Sequence, residues 1–220
     1  MIRQGSSGSK DERPAKPVVL VVDDDAGVRD ALGSLFRSVG LDAELFGSPA
    51  DLLRRPVPDN PSCIVLDVRL PGVSGLDFQQ QLAASGVDLP VIFMTGHGDI
   101  PMSVRAMKAG AIDFLAKPFR DQDMLDAVMS AIERDARRRR EQAAEADLKS
   151  LYESLTARER EVMGYVTSGL MNKQVAGELG LSEITVKIHR GNAMRKMKAK
   201  SLAELVRMAE ALGLSRPQSS

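Results

Sequence analysis

Val18–Val22 reads VVLVV, an unbroken apolar run of the kind found in a strand covered on both faces. Ala26–Val39 follows with apolar residues at helical spacing (Val28, Leu32, Leu35, Phe36, Val39) and stops at Gly40, a natural helix-ending residue. The same alternation recurs as strand Ala43–Phe46, helix Pro49–Arg54, strand Cys63–Leu66 and helix Leu76–Ser85. It continues as strand Val91–Met94, helix Met102–Ala109 and strand Ile112–Leu115. Strand–helix alternation of this kind predicts an α/β fold with a parallel sheet and helices on both faces.

From Asp121 to Leu151 no Gly or Pro interrupts the chain, and the spacing predicts one long helix. Its first part carries an apolar stripe (Leu125, Val128, Met129, Ile132). Its middle, ERDARRRREQ, is polar on every face, which predicts a solvent-exposed connecting helix with Arg137–Arg140 as a solvated face. Short helices follow. Thr156 and Glu159 form a capping box for the first, and Asn172 is placed to cap a second, Lys173–Leu179, ending at Gly180. Ser182 is placed to cap a third, Glu183–Met197, and Leu202–Leu212 is amphipathic.

Charge adds an asymmetry. The net charge is zero, yet residues 18–120 carry a balance of −4 and residues 151–220 one of +4. An acidic front and a basic rear fit a metal-binding half and a nucleic-acid-binding half. Cys63 is the single cysteine, which excludes an intrachain disulfide and a cysteine-based zinc site, and its place on an apolar strand reads as a small buried hydrophobe. No apolar run is long enough to span a bilayer and no export signal opens the chain, so a cytoplasmic location without membrane attachment is expected. The Gly/Ser-rich residues 1–16 are expected to form a flexible tail.

In a doubly wound sheet of strand order 2-1-3-4-5, side chains that do chemistry sit at the carboxyl ends of the strands. Strand one ends at Asp23 and Asp24, strand three at Asp67, strand four at Thr95, and strand five runs into Lys117 and Pro118. The three carboxylates therefore converge, with a hydroxyl and an ammonium opposite. Hard oxygen donors at this density suit Mg²⁺. A carboxylate can also attack phosphorus, giving an aspartyl-phosphate whose equatorial oxygens a cation and Lys117 would neutralise. Two classes use such an intermediate, a phosphorylated signalling protein and a phosphohydrolase. The second needs a general acid and a substrate pocket, for which the sequence offers no evident residues.

The segments VVLVVDDD, IVLDVRLPGVSGLD and VIFMTGHGDIPMSVRAMKAGAIDFLAKPF together resemble a receiver domain of the FixJ type, from Pro17 to about Ile132. The resemblance implies a flavodoxin-like receiver with Asp67 as phosphoacceptor. Asp23, Asp24 and Asp67 would hold Mg²⁺ (or Mn²⁺) together with the backbone carbonyl of Arg69. Thr95 and Lys117 would engage the phosphoryl group, the Lys117–Pro118 peptide would be cis, and Phe114 would be the aromatic switch residue. Phe lacks the hydroxyl of the Tyr found there in many receivers, so its inward and outward positions differ by packing alone. Arg69 and His97 flank the site on loops, where tuning of water access and simple exposure stand equally open.

Leu181 and Ser182 link two short helices tightly, as in a helix-turn-helix. In the third helix Val186, Ala193, Met194 and Met197 have core spacing, which leaves Lys187, Ile188, Gly191 and Arg195 outward. The stretch from LTARERE through MAEALG resembles the all-α, tetrahelical LuxR/NarL-type DNA-binding domain over its full length. By that resemblance Lys187 and Ile188 approach bases, while Lys173, Thr185 and Arg190 engage phosphates. Gly191 departs from relatives with a larger or basic residue and weakens the helix by up to ~1 kcal/mol relative to Ala; close approach of the backbone to DNA and relaxed specificity both remain open. The expected organisation is a tail over 1–16, a receiver core over 17–120, a helical linker over 121–150 and a DNA-binding domain over 151–215. The expected function is a response regulator transcription factor, not an enzyme. It would take a phosphoryl group from a sensor histidine kinase, form a homodimer and bind double-stranded promoter DNA, with RNA polymerase as a further candidate partner.

Overall fold

A computed structural model describes residues 16–96 and 100–214, without the side chains of residues 100–102. Residues 1–15 of the expected tail, and His97, lie outside the described residues. The chain divides into two compact units, within Met1–Arg139 and Arg140–Ser220.

The first unit opens with β1 (Val18–Val22), α1 (Ala26–Ser38), β2 (Asp42–Phe46), α2 (Pro49–Leu53) and β3 (Ser62–Asp67). A short hairpin, β4 (Arg69–Leu70) and β5 (Val73–Ser74), precedes α3 (Gly75–Ala84), β6 (Val91–Thr95), α4 (Ile100–Lys108) and β7 (Asp113–Ala116). Helix α5 then runs over Asp121–Glu153, and the boundary between the units falls within it. The five long strands form one parallel sheet in the order β2-β1-β3-β6-β7, the expected doubly wound arrangement. The hairpin was not expected, because strands of two residues are too short to show a period. Pro71 and Gly72 turn it, Gly72 at φ +86°.

The apolar runs are continuous because both faces of the sheet are covered. Leu20, Val22, Ile64, Leu66, Val91 and Phe93 point to one face, against Phe78 and Leu82 of α3. Val19, Val21, Cys63, Val65, Ile92 and Met94 point to the other, against Phe36 of α1 and Met124 and Val128 of α5. Cys63 is fully buried there, and burial pushes its thiol well above its ordinary pKa, so it serves as packing rather than as a reactive group.

The expectation of a solvated arginine face on the connecting helix is corrected. Met124, Val128 and Ala131 form a buried stripe on α5, and Asp135 continues it one turn further with no exposed surface. The backbone N–H of Ser62, at the start of β3, donates to Asp135 Oδ2 at 2.9 Å. Arg138 Nε donates to Oδ1 at 3.2 Å and Arg139 Nε to Oδ2 at 2.6 Å. Arg139 also reaches the carbonyls of Pro58 (2.9 Å) and Asp59 (3.1 Å). Hydrophobic periodicity missed this because a carboxylate occupies a core position, where an unpaired strand N–H needs an acceptor. Two of the four arginines are thus counter-ions of a buried carboxylate.

The second unit contains α6 (Ala157–Thr167), α7 (Asn172–Leu179), α8 (Glu183–Lys196) and α9 (Leu202–Ala211). They enclose Val162, Met163, Val166, Val175, Val186, Ala193, Met197 and Leu205. The capping box at Thr156 is present, with Glu159 N–H donating to Thr156 Oγ1 and Thr156 N–H to Glu159 Oε2. Ser182 caps α8 as expected, its hydroxyl accepting from Thr185 N–H at 3.1 Å. Asn172 does not cap α7. Met171 is the N-cap residue, its N–H held by Gln174 Oε1 at 2.8 Å, and Asn172 is the first helical residue.

Burial alone would raise the Asp135 carboxyl, but Arg138, Arg139 and the Ser62 N–H outweigh it and hold the group below its usual pKa. A carboxyl depressed in the folded state contributes stability above the unfolded pKa of about 3.9. That contribution is lost as pH falls through the lower folded value. Asp135→Ala should cost about 3–5 kcal/mol in urea unfolding at neutral pH, since two guanidinium groups and a strand N–H lose their acceptor. Asp135→Asn, which retains one acceptor oxygen, should cost less, and the gap between it and wild type should narrow below about pH 4.

Candidate functional site

The parallel register aligns the carboxyl ends of four strands. Val22 is opposite Leu66, Asp67 opposite Met94, and Thr95 opposite Ala116. The residues that leave those ends are the ones expected from the sequence. Asp23, Asp24 and Asp67 each offer a carboxylate oxygen within 4.8 Å of the others. Lys117 Nζ donates to Asp23 Oδ2 at 2.7 Å and to Asp67 Oδ2 at 2.9 Å. Thr95 is buried at the end of β6, and its carbonyl accepts from Lys117 N–H at 2.7 Å. The Lys117–Pro118 peptide is cis.

The three successive aspartates divide the work of the β1–α1 loop. Asp23 is buried; its Oδ1 accepts from Asp25 N–H at 2.9 Å and its carbonyl accepts from Arg29 Nη1 at 2.7 Å. Asp25 caps α1, accepting from Gly27 N–H at 2.7 Å and Val28 N–H at 3.2 Å. Asp24 is left exposed at the site. Burial pushes the Asp23 carboxyl above its ordinary pKa, against the bond from Lys117. Burial alone would lower Lys117, but the two carboxylates outweigh it and hold the ammonium above its ordinary value. A half-buried cation therefore holds two clustered carboxylates together. Hard oxygen donors on two adjacent strand ends, one of them open to solvent, fit a divalent cation such as Mg²⁺.

Asp67 is held from both sides, since Arg69 N–H donates to its Oδ1 at 3.0 Å. The backbone after it is fixed by Gly75, whose N–H donates to the Val68 carbonyl at 2.9 Å. A Cβ on Gly75 would lie 2.6 Å from the Asp67 carbonyl oxygen and 3.0 Å from Val68 Cα. Only glycine allows the start of α3 to pass this close to the strand end. Phe114 on β7 is half-buried, its ring 6.4 Å from that of buried Phe93 and tilted by 46°. Sequence reasoning missed Arg29, which reaches back along its own β1–α1 connection to the Asp23 carbonyl, and Gly75, whose role appears only when the start of α3 meets the end of β3. The glycine in GVSGLD was the one available signal.

In the second unit, Lys173, Lys187, Ile188, Gly191 and Arg195 are exposed, while Thr185 is half-buried. Arg190 Nη1 donates to Asn172 Oδ1 at 3.2 Å, tying α8 to α7. Arg195 Nη2 donates to Asn192 at 3.0 Å. Beside it, at the C-terminal end of α8, Lys196 Nζ donates to the buried Glu159 at 2.6 Å. Burial alone would raise Glu159, but Lys196 and Thr156 hold it below its usual pKa. This half-buried pair fixes α8 against α6. Ile184, which sequence reasoning did not single out, is 74% exposed one turn before Ile188. Its spacing from Ile188 was the signal.

No helix among the described residues is long and apolar enough to cross a membrane. The model of the response regulator receiver domain matches residues 19–129, and that of the luxR family of bacterial regulatory proteins matches residues 153–209. The chain is 60% identical to nodulation protein W of Bradyrhizobium diazoefficiens over 208 residues, 94% of this chain and 92% of that protein. It is 45% identical to the transcriptional regulatory protein FixJ of Azorhizobium caulinodans over 202 residues, 92% of this chain and 96% of that one. Among solved structures, the response regulator StyR matches with a TM-score of 0.83 and 49% identity, covering 89% of this chain and 99% of that chain.

Asp24 is exposed, so Asp24→Ala should leave thermal stability nearly unchanged while lowering Mg²⁺ affinity more than about tenfold. Calorimetric titration of both proteins with Mg²⁺ checks this. Equal affinities would place the cation elsewhere.

Proposed function

We propose, from the premise that this chain belongs to the response regulators that pair a receiver with a LuxR-type DNA-binding domain, that phosphorylation of Asp67 controls its binding to promoter DNA. The observation that carries this is the meeting of Asp23, Asp24, Asp67 and Lys117 at one end of the sheet. An Asp67 carboxylate oxygen attacks the phosphorus of a phosphohistidine on a sensor kinase. The P–N bond breaks, the imidazole leaves, and a P–O bond to Asp67 forms. Asp23, Asp24, Asp67 and the Arg69 carbonyl would hold a divalent cation, Mg²⁺ (or Mn²⁺), which when bound would supply positive charge to the transferring group. Lys117, already on the Asp67 carboxylate, moves its hydrogen bond to a phosphoryl oxygen. The Thr95 hydroxyl donates to another, and Phe114 repacks in response.

The consequence is carried by the α4–β7–α5 surface. Val104 and Met107 on α4 and Met129 on α5 are large apolar side chains, each 44–55% exposed. A homodimer through this face brings two DNA-binding domains into one assembly and raises their effective concentration for paired half-sites. Lys187 and Ile188 meet bases; Lys173, Thr185, Arg190 and Arg195 meet phosphates or the groove edge. Functionally, the receiver core covers 17–120, the linker 121–150 and the DNA-binding domain 151–215. The protein acts in the cytoplasm, with RNA polymerase as the downstream partner.

Acetyl phosphate with Mg²⁺ should introduce one alkali- and hydroxylamine-labile phosphoryl group, and Asp67→Asn should abolish it. Incorporation that survives this substitution would overturn the assignment. In gel-shift titrations of the phosphorylated chain, Arg190→Ala should weaken all duplexes about equally, and Lys187→Ala should change which duplex is preferred.

A further inference from the structure

At about 100° per residue, the buried side chains Val186, Ala193 and Met197 fall within an arc of about 40° on α8. Ile184, Ile188, Gly191 and Arg195 fall within about 60° on the opposite side. Ile184 is 74% exposed and Ile188 57%, and neither joins the core of the unit. A Cβ built at Gly191 meets nothing within 4 Å, and its φ lies outside the left-handed region. Neither packing nor backbone conformation within the described chain therefore calls for a glycine, at a helical position where it is less stable than alanine.

The edge facing away from the core is thus two isoleucines followed by a notch. Lys187 stands on its shoulder, Arg195 closes its far end, and exposed Lys173 lies on the preceding helix. An apolar, notched edge within a basic rim complements a DNA major groove, where phosphates form the walls and the C5 methyl groups of thymine lie on the floor.

We propose that Ile184 and Ile188 read thymine C5 methyl groups, and that Gly191 lets the backbone of α8 come close to the base edges. The proposal rests on the DNA-binding reading above and adds how this edge chooses bases, by methyl contact rather than by hydrogen bonding. It makes Ile184 a specificity-determining residue. It also gives Gly191 a use outside the folded chain, in the complex.

The full-length chain with Mg²⁺ and beryllofluoride is used to select duplexes from a random library. The selected duplex is then resynthesised with uracil in place of thymine, one position at a time. Removing one methyl should weaken binding about fourfold at one or two positions in each half-site. Ile184→Ala should bind more weakly and lose sensitivity to one of those methyl groups, and Ile188→Ala to another. Gly191→Ala should raise the melting temperature of the free protein yet weaken binding to the selected duplex. A selected duplex indifferent to every methyl group, or isoleucine variants that keep full methyl sensitivity, would overturn this inference alone. Ile184→Ala that changes self-association and leaves DNA binding intact would overturn it in favour of a protein contact. Failure to enrich any duplex would overturn the DNA-binding reading as well.

Discussion

Three carboxylates gathered at one end of a sheet repel each other, and the Lys117 ammonium is what holds two of them in place. Its bonds to Asp23 and Asp67 span the ends of three strands, β1, β3 and β7. This arrangement is possible only because the parallel order sets β1 beside β3 and carries β7 two strands away, with the register aligned. The hydrophobic layers on both faces fix that order. The charged end is a balance in which one cation serves two anions. On the proposed reading, a divalent cation and a phosphoryl group at Asp67 would give Lys117 a more highly charged partner and release it from that balance. Phe114 stands only two residues before Ala116 on the same strand, within reach of such a shift.

Much of this was legible in the sequence, because apolar runs that end in aspartate or threonine report both a strand and its chemistry. Asp23, Asp24, Asp67, Thr95 and Lys117 stand where the strand-end rule puts them. What periodicity could not show were polar groups used as core. Asp135 occupies the inner face of α5 because Ser62 N–H needs an acceptor, and its two arginines look like surface charge in one dimension. Gly75 is equally silent, since its role is to leave room where a Cβ would lie 2.6 Å from the Asp67 carbonyl oxygen, a contact set only when the hairpin forms. Asn172 shows the limit of capping rules: the helix starts one residue earlier than its side chain suggested, leaving that side chain to Arg190.

The second unit shows a similar division between what is fixed and what is offered. Glu159, held by Thr156, and Lys196 lock the base of α8 through a half-buried ion pair, while the opposite face of the helix carries exposed isoleucines and a glycine. A rigid inner face and a largely exposed outer face are what the recognition role proposed for α8 requires. In the first unit, the Asp135 cluster secures α5 up to Arg139, so the polar stretch is anchored for its first turns. The regulation proposed above would thus rest on surfaces that the folded units keep exposed, α4–β7–α5 in one and α8 in the other.

The claim that joins these parts is that the phosphoryl group acts through self-association. Sedimentation velocity of the full-length chain in Mg²⁺, with and without beryllofluoride, measures it directly. A shift from monomer to dimer on adding beryllofluoride, absent in Asp67→Asn, is the predicted result. A chain that remains monomeric with beryllofluoride yet gains affinity for its selected duplex would contradict the account.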